Sequence, residues 1–144
     1  MKIVSSLALV LAVGWMSGCA TPDHQVVSVP LNATNYNAGH IARATLVPVG
    51  SATEIRIAVS GVPSYTVIPA RLYTYLYAGA CGSLTGKPAY SMNDTVRSDL
   101  NGPGMQLVKV APLSLDRLRS GNYALVVRGS PADGNRDLFC AKII

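Results

Sequence analysis

Alternation of inward and outward residues along Arg71–Tyr77 constrains the fold of this chain more than any other sequence feature. Leu72, Thr74 and Leu76 fall on one side of an extended segment, and the residues between them fall on the other. A period of two with several aromatic residues is typical of a half-buried β-strand. The predicted outer face consists of Arg71, Tyr73, Tyr75 and Tyr77.

The same pattern recurs at short intervals along the chain, between stretches rich in glycine, proline, serine and asparagine. It is clearest in Glu54–Ser60, where Ile55, Ile57 and Val59 predict the buried side. The other predicted strands are Val26–Leu31, Ile41–Val47, Gln106–Val110, Tyr123–Arg128 and Leu138–Ile144. Seven or eight short strands with almost no helix predict an all-β fold, an antiparallel β-sandwich.

Between these strands, the long Cys81–Met105 stretch is rich in loop-forming residues and predicts a loop held by its cysteine. One helical turn is predicted at Ser114–Leu118. Ser114 is a suitable N-cap, and Gly121 is a suitable stop.

The N-terminal segment has the pattern of an export signal and is not expected to be part of the folded domain. Lys2 precedes the apolar run Ile3–Val13, which is too short to span a bilayer, and small residues then lead to Cys19. The segment Met16–Cys19 resembles the lipobox of bacterial lipoproteins, which implies cleavage before Cys19 and lipidation of that cysteine. An ordinary secretory signal and an uncleaved anchor are the alternatives.

This interpretation divides the chain into a signal peptide (1–18), a lipidated tether (19–25) and one domain (26–144). The implied location is the bacterial cell envelope, with the membrane as partner through the anchor at Cys19. Ala20 follows that cysteine where an aspartate would favour the inner membrane, so the outer membrane, facing the periplasm, is expected.

Charge and cysteine content narrow the function. Without Lys2, the chain has 11 lysine and arginine residues and seven acidic residues, and the basic residues do not form a run. An exported chain without a basic stripe is a poor candidate for nucleic-acid binding. The mild basicity suits contact with anionic head groups or simply a solvated surface.

With Cys19 lipidated, Cys81 and Cys140 remain, and two cysteines in an oxidising compartment predict one disulfide.

Three blocks resemble the copper/zinc superoxide dismutase-like domains and the related chordin domains. These are LYTYLYAGACGSLTGKPAY, APLSLDRLRSGNYALVVRGSPADGN and NRDLFCAKII, which together span Leu72–Ile144. The family has a His-x-His strand followed by a loop cysteine, a later strand that ends in histidine, and a closing strand whose cysteine bonds to the loop cysteine. The resemblance implies a Greek-key sandwich stapled by Cys81 and Cys140.

The family's metal ligands do not carry over. Tyr75 and Tyr77 occupy the His-x-His positions, Arg128 replaces the later histidine, and Asp137 replaces the family's active-site arginine, with Arg136 beside it. A phenol is a poor ligand at neutral pH and a guanidinium repels a divalent cation. The resemblance therefore implies a domain without a copper/zinc centre, without cofactor and without superoxide dismutase activity.

No other catalytic pattern is present in the sequence. The chain has two histidines, His24 in the tether and His40, which is expected at the surface, and a catalytic metal site needs three clustered ligands. Glu54 is the only glutamate, and no nucleophile elbow or phosphate loop occurs. Asp133 and Asp137 flank a Gly-Asn turn that could hold a cation weakly, although a solvated turn is the simpler interpretation.

The tyrosine face, with Arg71 at its start and Arg128 expected nearby, is the remaining candidate. Tyrosine and arginine are enriched at binding hot spots, but the same face could simply pack across strands. We therefore expect a non-catalytic envelope lipoprotein with a structural or binding role. The alternatives are a divergent metal-dependent or copper-handling protein and a binder of small ligands or glycans.

Overall fold

The computed structural model describes residues 25–101 and 104–144. The predicted signal peptide, Cys19 and the tether as far as residue 24 lie outside the described residues. In the described part of the chain, no helix is long and apolar enough to cross a membrane.

Nine antiparallel strands and one short helix make up the described structure, which confirms the predicted all-β fold. The strands are β1 (Val27–Ala33), β2 (Ala42–Val49), β3 (Ala52–Val59), β4 (Leu72–Ala78), β5 (Tyr90–Ser91), β6 (Asp99–Asn101), β7 (Gly104–Ala111), β8 (Tyr123–Gly129) and β9 (Asp137–Lys142). The helix α1 covers Leu115–Ser120, and two 3-10 turns cover Asn35–Asn37 and Pro131–Asp133.

The strands lie in the order β5-β4-β8-β9-β1-β2-β3-β7-β6. β3 pairs with β7 and β4 with β8, and the chain passes between the two halves of the fold three times, from β3 to β4, from β5 to β6 and from β7 to β8. The halves are joined by β1, which pairs with β2 over Val27–Leu31 and then with β9 at Asn32 and Ala33. The first strand thus runs two residues beyond its predicted end at Leu31, because those residues join the second half.

The segment from β5 to β6 nearly closes the sheet. It first runs beside β4, where Tyr90 and Ser91 pair with Leu76 and Tyr75, and its end then pairs with β7. The prediction of an uninterrupted loop over Cys81–Met105 was therefore wrong in part. The two short strands escape sequence analysis because they are only two and three residues long and depend on distant partners.

The inward residues of the strands form one core, as the alternation predicted. Ile55, Ile57 and Val59 of β3 are at most 2% exposed, and Leu72 and Leu76 of β4 are fully buried. Phe139 is the largest fully buried side chain and lies where β9 pairs with both β8 and β1. This core fixes the backbone of β4 and β8, which carry the candidate residues on their outer side.

Helix α1 confirms the predicted cap at Ser114, whose hydroxyl accepts a hydrogen bond from the backbone N–H of Arg117. Gly121 is the C-cap of the helix, as predicted. The position requires glycine because a Cβ there would lie 2.7 Å from the carbonyl oxygen of Arg117. The left-handed residue is instead Asn122, with φ 55°, a conformation that asparagine tolerates.

Candidate functional site

Three of the predicted site residues form a compact cluster on the outer face of β4 and β8. The Cζ of Arg128 lies 4.9 Å from the ring centroid of Tyr75 and 5.7 Å from that of Tyr77. Its guanidinium also donates a hydrogen bond of 3.0 Å to the Tyr77 hydroxyl. A cation over an aromatic ring is attracted by the ring quadrupole, so the guanidinium holds the two phenols together.

Asp137 completes this cluster. The Arg128 Nε donates to its carboxylate at 2.5 Å, and the two residues are paired across β8 and β9. A β-bulge at this point brings Asp137 rather than Leu138 opposite Arg128, and bulges commonly re-aim a side chain in this way. Burial alone would lower the pKa of Arg128, but the hydrogen bonds to Asp137 and Tyr77 raise it above its ordinary value.

The predicted disulfide between Cys81 and Cys140 is present and covers one side of the cluster. Cys140, Ala124, Val126 and Tyr77 form a second, smaller apolar cluster, with Tyr75 and Leu84 packed against it. Tyr77 is therefore only 5% exposed, although its side of β4 was expected to face outward. The loop that the disulfide ties down buries it, so this part of the tyrosine face serves packing.

Arg71 precedes β4, and Tyr73 lies near the start of β4, directly opposite Arg128 in the ladder with β8. They border a groove of about 460 Å³ whose opposite wall is the turn Ser130–Asp133. Val67 and Pro69 supply apolar surface beside them. Arg71 is exposed and Tyr73 half-buried, so both remain accessible from the groove.

Asp133 is a structural residue rather than a member of a solvated turn. It is 9% exposed, and its carboxylate accepts hydrogen bonds from the backbone N–H of Val67 and the hydroxyl of Ser130. It thereby ties the loop before β4 to the loop after β8. Asp137 is held by Arg128, so the pair that flanks the Gly-Asn turn does not converge on a cation.

Within residues 25–101 and 104–144, no group of three or more histidine, cysteine or acidic side chains could hold a metal ion. His40 is half-buried rather than fully at the surface, and its imidazole packs against Gly61, where a Cβ would lie 2.4 Å from the ring. Tyr75, Tyr77 and the ion-paired Arg128 lie on the outer face of β4 and β8. The cluster is held together by its own ion pair and hydrogen bond, from Arg128 to Asp137 and to Tyr77.

Lys109 was not predicted from the sequence as a buried residue, yet it lies on the inward side of β7 and is only 4% exposed. Its ammonium group donates a hydrogen bond to the Thr95 carbonyl oxygen, across the gap that the segment from β5 to β6 closes. Burial lowers the pKa of Lys109, and the nearby charge of Asp94 raises it by less. The sequence did contain a signal for its burial, because Lys109 is in phase with the inward residues Met105, Leu107 and Ala111.

Lys109→Met should change how stability depends on alkaline pH. Because the pKa of Lys109 in the folded protein lies below its ordinary value of 10.5, the folded state loses this proton before the unfolded chain does. Its contribution to stability is thus greatest above 10.5 and falls as pH drops through the folded pKa. We expect the unfolding free energy of the wild type, relative to Lys109→Met, to increase between pH 8 and 10.5 in urea titrations.

Lys87→Met, at an exposed loop position, is the matched control for the loss of one positive charge. A difference between wild type and Lys109→Met that stays constant over this pH range would contradict the account.

Two further residues at the candidate site were not foreseen: Asp137 as the partner of Arg128, and Arg97, which pairs with Arg71 in an isolated β-bridge. The alternation Val96-Arg97-Ser98-Asp99 was a signal for the second, but it is too short to predict a strand. Nothing in the sequence indicates the bulge that brings Asp137 to Arg128.

No protein-family model, no curated protein and no solved structure matches the chain significantly.

Proposed function

We propose that this chain is an exported bacterial lipoprotein whose β-domain has a binding or structural role at the cell envelope, without catalysis. We further propose that the domain is a superoxide dismutase-like sandwich that has lost its metal site. The observation that carries the first proposal is the Cys81–Cys140 disulfide. Such bonds form and persist in oxidising compartments, in agreement with the predicted signal peptide at residues 1–18.

The cluster of Tyr75, Tyr77 and Arg128 supports a non-catalytic role. Catalytic sites commonly present a nucleophile or a base that a neighbour activates. Here the guanidinium is neutralised by Asp137 and the phenol of Tyr77 accepts its hydrogen bond. These groups stabilise one another.

The proposed anchor is tested by replacing the acyl acceptor. Cys19→Ser should release the protein from membranes or block its processing, because several acyl chains at about 0.8 kcal/mol per buried methylene hold the wild type there. Membrane fractionation and mass spectrometry of the N-terminal peptide measure the two effects. Ser17→Ala keeps a small residue and Cys19, and it should fractionate like the wild type.

The same fractionation tests the destination. Ala20→Asp should move the protein from the outer to the inner membrane in a density gradient. An unmodified Cys19 peptide in the wild type, with membrane association unchanged in Cys19→Ser, would contradict the lipoprotein proposal.

A further inference from the structure

Arg71 and Arg97 are directly opposite each other in an isolated antiparallel bridge. The flanking hydrogen bonds run from Leu72 N–H to the Val96 carbonyl and from Ser98 N–H to the Ala70 carbonyl, at 2.8 and 3.1 Å. This is the non-hydrogen-bonded kind of pair, in which facing side chains come closest. Both side chains are exposed on the outer side of the sheet, since Leu72 and Ser98 next to them are buried.

Two like charges in such a pair repel each other, so their placement needs compensation. In the part of the chain that the structure describes, the ion pairs are Arg56–Glu54 and Arg128–Asp137. Neither Arg71 nor Arg97 therefore has a described carboxylate within 4 Å. Asp99, two residues after Arg97 in an extended segment, is not within that distance.

The groove of about 460 Å³ opens beside this arginine pair. Tyr73 adds a phenol and a ring face to its wall, and Pro69 and Pro131 add apolar surface. Asp133 also lines the groove, but its two carboxylate oxygens accept hydrogen bonds from Val67 N–H and the Ser130 hydroxyl. The groove thus has Arg71 on its wall and an apolar and aromatic floor, and Arg97 lies beside Arg71 at the groove's edge.

We propose that Arg71, Arg97 and the adjoining groove bind a small phosphate-bearing molecule. Guanidinium groups match phosphate oxygens with paired hydrogen bonds, and two arginines at paired positions supply two positive charges, which match a phosphate dianion better than a single carboxylate. The apolar floor accepts the carbon skeleton of a phosphate ester. This inference rests on the binding role in the proposed function and names the class of ligand.

The position of the groove favours a soluble ligand over a bilayer head group. The groove lies where β4 begins and β8 ends. At the opposite end of β8, Arg119 of α1 lies 3.4 Å from the side chain of Gln25, where the chain leads toward Cys19. An anchor at Cys19 would therefore attach through the end of the domain opposite the groove.

The test is a titration of the full chain carrying Cys19→Ser at constant ionic strength, in which binding is measured from the amide chemical shifts in NMR spectra. Inorganic phosphate and glycerol 3-phosphate should cause saturable shifts at Tyr73, Arg97 and Ala132, with half-saturation at least tenfold below that of acetate. Arg71→Gln and Arg97→Gln should each raise the half-saturation concentration at least tenfold. Arg43→Gln, an exposed arginine on β2 outside this groove, should leave it unchanged.

Shifts that never saturate, or that are equal in Arg97→Gln and Arg43→Gln, would overturn the proposal. Circular dichroism of each variant excludes loss of the fold as the cause. Flotation with phosphatidylglycerol vesicles, against phosphatidylcholine vesicles, distinguishes the two sources of phosphate: binding to vesicles alone would overturn the assignment of a soluble ligand. The titration does not depend on lipidation, so its failure would leave the Cys19 fractionation result standing.

Discussion

Cys81→Ser is expected to lower the unfolding free energy by about 4 kcal/mol, because the disulfide closes a long loop in the unfolded chain. The two cysteines are 59 residues apart in sequence, and loop-closure entropy grows with that separation. Urea unfolding followed by circular dichroism measures the loss. Cys81 is the better position to replace, because it is exposed whereas Cys140 packs against Tyr77 and Val126.

Reduction of the wild type by dithiothreitol is the matched control. It should cost the same free energy, and it should leave Cys81→Ser unchanged. Hydrogen exchange should also increase near Tyr77, since the loop that covers this residue loses its covalent tie. Two free thiols in protein isolated from its native compartment, or a loss below about 1 kcal/mol, would contradict the expected contribution.

Phe139→Ala is expected to lower the unfolding free energy by about 3–5 kcal/mol, the usual cost of deleting a large buried aromatic side chain. Phe139 is fully buried and lies on the inward side of β9. It is opposite Val127 of β8 and Ala33 of β1, at the place where the two halves of the sheet join. A cavity there removes contacts from both halves, so neighbouring strands cannot easily collapse into it.

Phe139→Leu should lose less, because leucine fills part of the volume. Val108→Ala, at a valine that is 57% exposed on β7, should change stability by no more than about 0.5 kcal/mol. A Phe139→Ala protein as stable as Val108→Ala would show that this position is not central to the core.

The sequence alone determined which residues of β3 and β4 face the core. In β3 and β4 the predicted inward residues Ile55, Ile57, Leu72 and Leu76 are at most 1% exposed. Alternation is a local property of an extended chain, and burial of the apolar face directly stabilises the fold. The pattern can therefore be recognised without knowing which strands pair with one another. The disulfide could also be predicted from the sequence, because the proposed lipidation of Cys19 leaves two cysteines and therefore one pairing.

Only the tertiary structure decided which residues of distant segments lie opposite each other. The bulge that brings Asp137 to Arg128, the bridge between Arg71 and Arg97, and the reach of Lys109 to Thr95 all depend on the register of segments distant in sequence. The burial of Tyr77 depends likewise on a loop that folds back over its strand. Strand pairing is a non-local choice made by the packing of the whole sheet, so the local pattern that predicts a strand carries no information about its neighbour.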